Sequence, residues 1–139
     1  MDAASLQGIS LFSTLSKKEL EQLGRWIDEI DVKEGTHLAR EGTFAHEFFV
    51  IEEGSAEVRQ GEDKLRDLGP GDFFGEIGLL ETERRTASVI AQTPMRLLVM
   101  FQREFKQMER DLPAVAERIR AAIYERLHPG EAEAAEAAE

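Results

Sequence analysis

Two short segments near the middle of the chain combine glycines, a carboxylate and a guanidinium at a spacing suited to anion binding. The first is the run Phe73 to Leu80, with the sequence Phe-Phe-Gly-Glu-Ile-Gly-Leu-Leu, and the second begins at Arg84-Arg85-Thr86. Gly75 lets the backbone approach a ligand closely, and a short helix starting there directs free N–H groups at a phosphate. Arg85 adds a planar pair of donors, and the Glu76 carboxylate can accept a hydrogen bond from a hydroxyl. The pattern predicts a site for a ligand that carries both a phosphate and a hydroxyl.

Each of these residues also has an ordinary structural interpretation. A carboxylate such as Glu76 is favourable at the start of a helix, and Arg85 can pair with Glu81 or Glu83 on the surface. Arg84 is expected to be a solvated charge. The hydrophobic neighbours are expected to be core or hairpin residues whatever binds nearby: Phe73, Phe74, Leu79 and Leu80. The combined spacing, rather than any single residue, therefore indicates a ligand site.

The two segments resemble the phosphate-binding cassette of the cyclic-nucleotide-binding domain family. In that family a Phe-Gly-Glu stretch, continued by Leu or Ile, a small residue and Leu, is followed by Arg, a Thr, Ser or Ala, and Ala. Upstream, Glu41-Gly42, the run Glu47 to Gly54 and Gly69-Pro70-Gly71-Asp72 stand in the family's order. The resemblance covers residues from about 6 to 127. It implies a mainly β fold, a jelly-roll β-barrel (double-stranded β-helix) with N-terminal and C-terminal helices.

The resemblance also implies roles for individual residues. Glu76 is expected to bind the ribose 2′-hydroxyl, and Arg85 with the Gly75 to Gly78 backbone to bind the cyclic phosphate. Thr86 either only favours a strand or contacts the purine, where it can bond the guanine amino group, so cAMP and cGMP are both expected ligands. The predicted ligand-binding residues are Phe74, Gly75, Glu76, Ile77, Gly78, Leu79, Arg85, Thr86, Ala87 and Val89. No further cofactor and no metal is expected.

Some candidates around the base have an equally ordinary interpretation. Val89 and Val58 are candidates for the wall of the base pocket, although valines on strands are usually core residues. Tyr124 and Leu127 are possible lid residues over the base. The same two side chains fit equally well in an apolar stripe that packs on the barrel or on a partner's helix.

The hydrophobic pattern predicts short strands between two helical ends. Ser16 and Glu19 form a capping box that opens a helix through about Leu23. From Trp26 the hydrophobic period changes to two, and glycines follow at short intervals. The best strand candidates are 48–51, 56–58, 64–68, 87–91 and 96–100. Such a series is typical of a sandwich or jelly roll.

Two helices and a tail are expected after Phe101. Phe105 and Met108 repeat helically, and a second helix should run from Pro113 to about Leu127, where Pro129-Gly130 ends it. Residues 128–139 are an acidic Ala/Glu stretch expected to be disordered and solvated. The predicted division is a domain over 1–127, with a helical segment at about 5–25, the barrel at about 26–101 and helices at about 102–127.

Composition excludes several functional classes. The 139 residues, 42% hydrophobic and 32% charged, suit a single domain. A net charge of −11 opposes binding along a nucleic-acid backbone. No apolar run reaches the roughly 20 residues that span a bilayer, and no signal peptide is recognisable, so a cytoplasmic location without membrane insertion is expected. The absence of cysteine excludes disulfides and thiolate metal sites.

No residue pattern indicates an enzyme. His37, His46 and His128 do not form the close pair that a cupin-type metal site requires, and no serine lies in a nucleophile-elbow setting. The chain is therefore expected to be a non-enzymatic regulatory module in signal transduction. Its ligand would move the C-terminal helices and engage an unidentified protein effector, or a second copy through the C-terminal helix. A free-standing sensor, a regulatory part of a channel, kinase or transporter, and a degenerate barrel that acts as a protein-interaction scaffold all stay open.

Overall fold

The protein folds as strands between two helical ends in a computed structural model, which describes residues 6–43, 46–75 and 85–127. Its described elements are a 3₁₀ helix (Ser10–Phe12), α1 (Lys17–Leu23), β1 (Asp28–Val32), β2 (His37–Ala39), β3 (Glu47–Glu53), β4 (Ala56–Gln60), β5 (Asp63–Leu68), β6 (Phe73–Phe74), β7 (Ser88–Ala91), β8 (Met95–Phe101), α2 (Gln102–Asp111) and α3 (Pro113–Leu127). The predicted strands are confirmed as β3, β4, β5, β7 and β8. The short strands β2 and β6 were not predicted.

Local capping chemistry starts the first helix. The Glu19 backbone N–H donates to Ser16 Oγ at 3.2 Å, and the Ser16 N–H donates to Glu19 Oε1 at 2.9 Å. This is the predicted capping box, and it satisfies two donors that a helix start otherwise leaves open. Leu20 and Leu23 point from α1 into the core.

The described strands form two four-stranded antiparallel sheets. One has the order β1-β8-β3-β6 and is called here the helix-covered sheet; the other has the order β2-β7-β4-β5 and is called the open sheet. Their arrangement confirms the predicted jelly roll. It differs from a true barrel, because the hydrogen-bonded ladders between the described strands leave two separate sheets.

The central strands of the helix-covered sheet, β3 and β8, are buried on both faces. Alternate residues of β3 and β8 face either the helices or the open sheet, and both sets are apolar. The residues toward the helices are Phe48, Val50, Leu98 and Met100, and those toward the open sheet are Phe49, Ile51, Leu97 and Val99. These two strands therefore read as almost continuous hydrophobic runs.

The helices α2 and α3 pack on this sheet and on α1. Phe105, Met108, Ile119 and Ile123 are buried in the same core as the sheet. Arg120 fastens the two helices, since its guanidinium lies 5.8 Å from the centre of the Phe105 ring and bonds the Glu109 carboxylate. The predicted helix pair, with Pro113 as the first residue of α3, is confirmed. The predicted tail at 128–139 lies outside the described residues, and no helix in the described ranges is long and apolar enough to cross a membrane.

Candidate functional site

Gly75 occupies a position that only glycine can fill without strain. It follows β6 with φ at +83°, in the left-handed region that favours glycine. A Cβ built there would overlap the carbonyl oxygen of Glu47 and lie 3.3 Å from Arg85 Nη1. The absence of a side chain thus allows β6, β3 and the Arg85 guanidinium to meet at one point.

Arg85 is held through both its backbone and its side chain. Its N–H donates to the Thr43 carbonyl at 2.7 Å, and its carbonyl accepts from the Gly42 N–H at 2.9 Å. Its Nη2 donates to the Glu47 carbonyl at 3.3 Å in a partly buried setting. The structure therefore brings together Gly75 and Arg85, two residues that the sequence pattern places in one site.

The Glu41-Gly42 pair supports this arrangement from the loop after β2. Glu41 Oε2 accepts from the Gly61 N–H at 2.9 Å, and the Glu41 N–H donates to Ser88 Oγ at 2.9 Å. The loop is thereby tied to the β4–β5 turn and to β7, while Gly42 is tied to the Arg85 carbonyl. The sequence pattern marks this pair only by its place in the family's order, and the structure gives it a positioning role.

The other described candidates divide between surface and core. Thr86 is exposed, and its carbonyl accepts from Gln60 Nε2 at 3.3 Å. Ala87 is half-buried against the core between the sheets. Val89 is buried and lies opposite the buried Val58 in the β4–β7 ladder, so both pack as core valines.

The two phenylalanines before Gly75 belong to the core, as predicted. Phe74 stacks on Phe49 with ring centres 4.8 Å apart and faces the open sheet. Phe73 packs on the other side, with its ring centre 5.6 Å from that of Phe48. The side chain of Phe74 thus anchors β6. Because Gly75 is the next residue, this anchor also holds the Gly75 backbone against Glu47.

Several predicted site residues fall where the structure gives no description. Glu76, Ile77, Gly78 and Leu79 lie outside the described residues, as does Arg84. On α3, Tyr124 is 53% exposed. The described backbone of α3 ends at Leu127, and the Leu127 side chain lies outside the described part of the structure. The ribose contact of Glu76 and the lid over the base stay predictions.

An apolar cavity of about 340 Å³ opens beside Glu47, between β1, β2, β3 and β8. Its described lining is Asp28, Ile30, Val32, Thr36, His37, Leu38, Glu47, Phe49, Val99 and Phe101. This described lining has two carboxylates and no lysine or arginine, so it is unsuited to a phosphate.

A carboxyl with a raised pKa, that of Glu52, lies at the far end of β3 from this region, paired with Glu29. Burial raises the pKa of Glu52 to about 7, and the hydrogen-bonded carboxyl of Glu29 adds to the rise. Arg96 opposes the shift, while it also binds Asp31 at 3.1 Å and Glu53 at 3.8 Å. Glu52 stands five residues from Glu47, about 16 Å along a strand. This pair is therefore separate from the Gly75 and Arg85 region, and no sequence motif predicted it.

Comparison with known proteins gives a family match and similar chains. Residues 29–111, more than half of the chain, match the family model described as "Cyclic nucleotide-binding domain". The cGMP-dependent protein kinase, isozyme 1, of Drosophila melanogaster is 31% identical over 121 residues, which are 81% of this chain and 16% of that protein. The cAMP-dependent protein kinase regulatory subunit of Mycosarcoma maydis is 32% identical over 122 residues, 81% of this chain and 23% of that protein. The chain thus spans less than a quarter of the length of either relative.

A solved structure supports the fold over nearly the whole chain. The N-terminal domain of a transcriptional regulator from Streptomyces coelicolor A3(2) is similar with a TM-score of 0.77 and 25% sequence identity. The similarity covers 93% of this chain and 94% of that one. It extends over a larger share of the chain than the family match does.

Proposed function

Because the chain belongs to the cyclic nucleotide-binding domain family, we propose that it is a non-catalytic regulatory module that binds cAMP or cGMP beside Gly75 and Arg85. The observation that carries the proposal is the meeting of a side-chain-free backbone and a partly buried guanidinium at Glu47. Relatives named for cGMP and for cAMP are similar to this chain at nearly equal identity, so both ligands belong to the proposal.

The chemistry of these groups fits a cyclic phosphate. Such a phosphate carries one negative charge and two exocyclic oxygens, and a guanidinium fork with backbone N–H groups can satisfy both oxygens. In the proposed complex Arg85 and the backbone after Gly75 bind the phosphate, and Glu76 accepts from the ribose 2′-hydroxyl. A linear nucleotide would bring additional negative charge toward Glu76, which favours the cyclic form through repulsion.

The proposal includes a relay through α3 to a protein effector in the cytoplasm. A ligand shifts a conformational equilibrium only by its different affinity for the two states. We assign that difference to Tyr124 and Leu127, which would cover the base in the bound state. Two relatives are named as a kinase and as a kinase regulatory subunit, so a protein kinase is a candidate class of effector.

The phosphate contact is tested by replacing Arg85. Arg85→Ala should weaken binding of cAMP and cGMP by about 3–5 kcal/mol, because a desolvated charge loses its partner. Isothermal titration calorimetry with cAMP, cGMP, 2′-deoxy-cAMP and AMP measures the effect. Arg84→Ala is the matched control, since it removes the same charge one residue earlier and should leave affinity nearly unchanged.

The outcomes of this titration separate the parts of the proposal. Unchanged affinity in Arg85→Ala removes that residue from the site. Equal affinity of the native protein for cAMP and 2′-deoxy-cAMP removes the ribose contact, which should contribute about 1.5–3 kcal/mol as a charged hydrogen bond. Failure of the native protein to bind any cyclic purine nucleotide would favour a protein-interaction scaffold.

The relay is tested by amide hydrogen exchange on α3. Saturation with the cyclic nucleotide that binds more tightly should slow exchange near Tyr124 and Leu127 by about tenfold, if the helix end closes over the base. Exchange in β8, already buried, should change much less and serves as the internal control. Binding without any change along α3 would contradict the relay and leave the ligand site intact.

A further inference from the structure

A groove with a positive lining lies where β8 passes into α2. Its volume is about 820 Å³, and it is called here the basic groove. Its described lining is His46, Phe101, Gln102, Arg103, Lys106, Glu109 and Arg110. Nothing in the sequence pattern or in the proposed nucleotide site assigns a role to these residues.

The charge of the basic groove comes from one face of α2. Arg103, Lys106 and Arg110 follow the spacing i, i+3 and i+7, so they form a single stripe, and all three are exposed. Elsewhere, many cations have carboxylate partners, as Arg59, Lys64 and Arg96 do. Within the described residues, no ion pair involves the three cations of the stripe.

The carboxylate in the lining does not neutralise this stripe. Glu109 is engaged by Arg120 of α3, which also bonds Glu117 at 3.0 Å. The groove is therefore a concentrated positive surface on a chain whose formal net charge is −11. A chain with this net charge repels a negatively charged segment over most of its surface, whereas the basic groove attracts it.

We propose that the acidic segment Glu131–Glu139 of this chain docks in the basic groove. The segment has four glutamates and no lysine or arginine, so its charge is complementary to the stripe. This proposal is an alternative to the expectation, drawn from composition, of a disordered and solvated tail. The proposal does not depend on cyclic nucleotide binding.

The path of α3 brings this segment within reach. Arg120 contacts both Phe105 and Glu109, so α3 runs back along α2 from the turn at Leu112. Leu127 lies seven residues beyond Arg120, about 10 Å further along the helix toward the start of α2. Residues 128–139 then span up to about 40 Å when extended. Attachment to α3 keeps the segment at a high effective concentration near the groove, on the order of millimolar.

Paramagnetic relaxation provides a direct test, because the chain has no cysteine of its own. A nitroxide is attached to a single cysteine introduced by Ala138→Cys, and amide signals are recorded from the otherwise intact protein. At about 0.01 M salt the signals of Arg103, Lys106 and Arg110 should lose at least about half of their intensity. They should recover at about 1 M salt, where the screening length falls from about 30 Å to about 3 Å.

Matched variants test the charge and its position. Lys106→Glu should restore most of the lost signal, whereas Lys33→Glu makes the same charge change on an exposed residue away from the groove and should not. Replacing all four tail glutamates with glutamine should also restore the signals without altering the folded domain.

Three results would overturn the proposal. The first is full signal intensity along α2 at low salt, and the second is equal signal loss on the open sheet at Lys64 and Arg66. The third comes from mixing isotope-labelled, spin-free protein with unlabelled, spin-labelled protein. Equal signal loss in that mixture would show contact between copies rather than docking within one chain.

Discussion

The central strands β3 and β8 of the helix-covered sheet are buried on both faces, whereas the open sheet buries only the face turned toward its partner. In the first, β8 has five buried residues among seven, and in the second, β5 has five exposed residues among six. The helices α2 and α3 cover the outer face of one sheet only. Hydrophobic stability is therefore concentrated on one side of the sandwich.

The candidate site stands where these two unequal sheets meet. Gly75 follows β6 at the edge of the helix-covered sheet, and Arg85 leads toward β7 of the open sheet. The Arg85 guanidinium crosses between them to the Glu47 carbonyl on β3. The helix-covered sheet thus supplies Gly75 and the Glu47 carbonyl, while the segment that leads into the open sheet supplies the charged group.

The largest expected effect tests the difference in burial between the two sheets. Leu98 is 1% exposed and faces the helices, so Leu98→Ala should lower the free energy of unfolding by about 2–5 kcal/mol. Leu65→Ala on β5 makes the same truncation at a residue that is 53% exposed, and should cost less than about 0.5 kcal/mol. Urea unfolding measures both. Similar losses in the two variants would show that the open sheet contributes as much to stability as the covered one.

The next effect tests the junction between the sheets. Gly75→Ala should lower the free energy of unfolding by about 1–3 kcal/mol, because the added methyl group overlaps the Glu47 carbonyl and φ is positive. Gly71→Ala is the matched control, with φ at +90° but no atom within 4 Å of the added Cβ. Gly71→Ala should lower the free energy of unfolding only by the conformational cost of a positive φ, about 1 kcal/mol. Equal losses would mean that the close contact at Glu47 relaxes freely.

The smallest effect concerns the carboxyl pair of the helix-covered sheet. The pKa of Glu52 is about 7 in the folded protein and about 4.5 when unperturbed. Between these two pH values, Glu52 therefore takes up a proton when the protein folds. This stabilisation is fully present below about pH 4.5 and is lost as pH rises through about 7. Glu52→Gln removes this pH-dependent loss of stability. The variant should therefore be more stable than the native protein by about 1 kcal/mol near pH 8, after allowance for solvent screening.

A double-mutant cycle with Glu29 sharpens this prediction. Glu29→Gln should also flatten the decline in stability with pH, and the double variant should add little to either single change. Urea unfolding at several pH values from about 4 to about 8 gives the required free energies. An undiminished decline in Glu52→Gln would assign the pH dependence to other groups.

Local signals in the sequence were sufficient for several elements. The capping box predicted the start of α1, and Pro113 predicted the start of α3, since both act through neighbouring backbone groups. Alternating apolar residues likewise predicted the longer strands. In contrast, β2 and β6 have three and two residues, which are too few for a periodic pattern to be recognised.

The candidate site was predictable where side chains carry its chemistry. Gly75 and Arg85 stood out by residue type and spacing, and the structure brings them together. Glu47 was missed as a partner because it contributes a backbone carbonyl, a group that every residue has. The pairing of Glu29 with Glu52 was missed because β8 lies between their strands in the sheet.

The sequence by itself determined the family resemblance, the jelly-roll class, the helix starts and the need for a glycine before the acidic cassette residue. Those features depend on residue type and on neighbours within a few positions. Only the tertiary structure decided that the Arg85 guanidinium meets the Glu47 carbonyl, 38 residues away, and that burial beside Glu29 raises the pKa of Glu52. The register between distant strands sets these contacts, and that register follows from how the whole core packs.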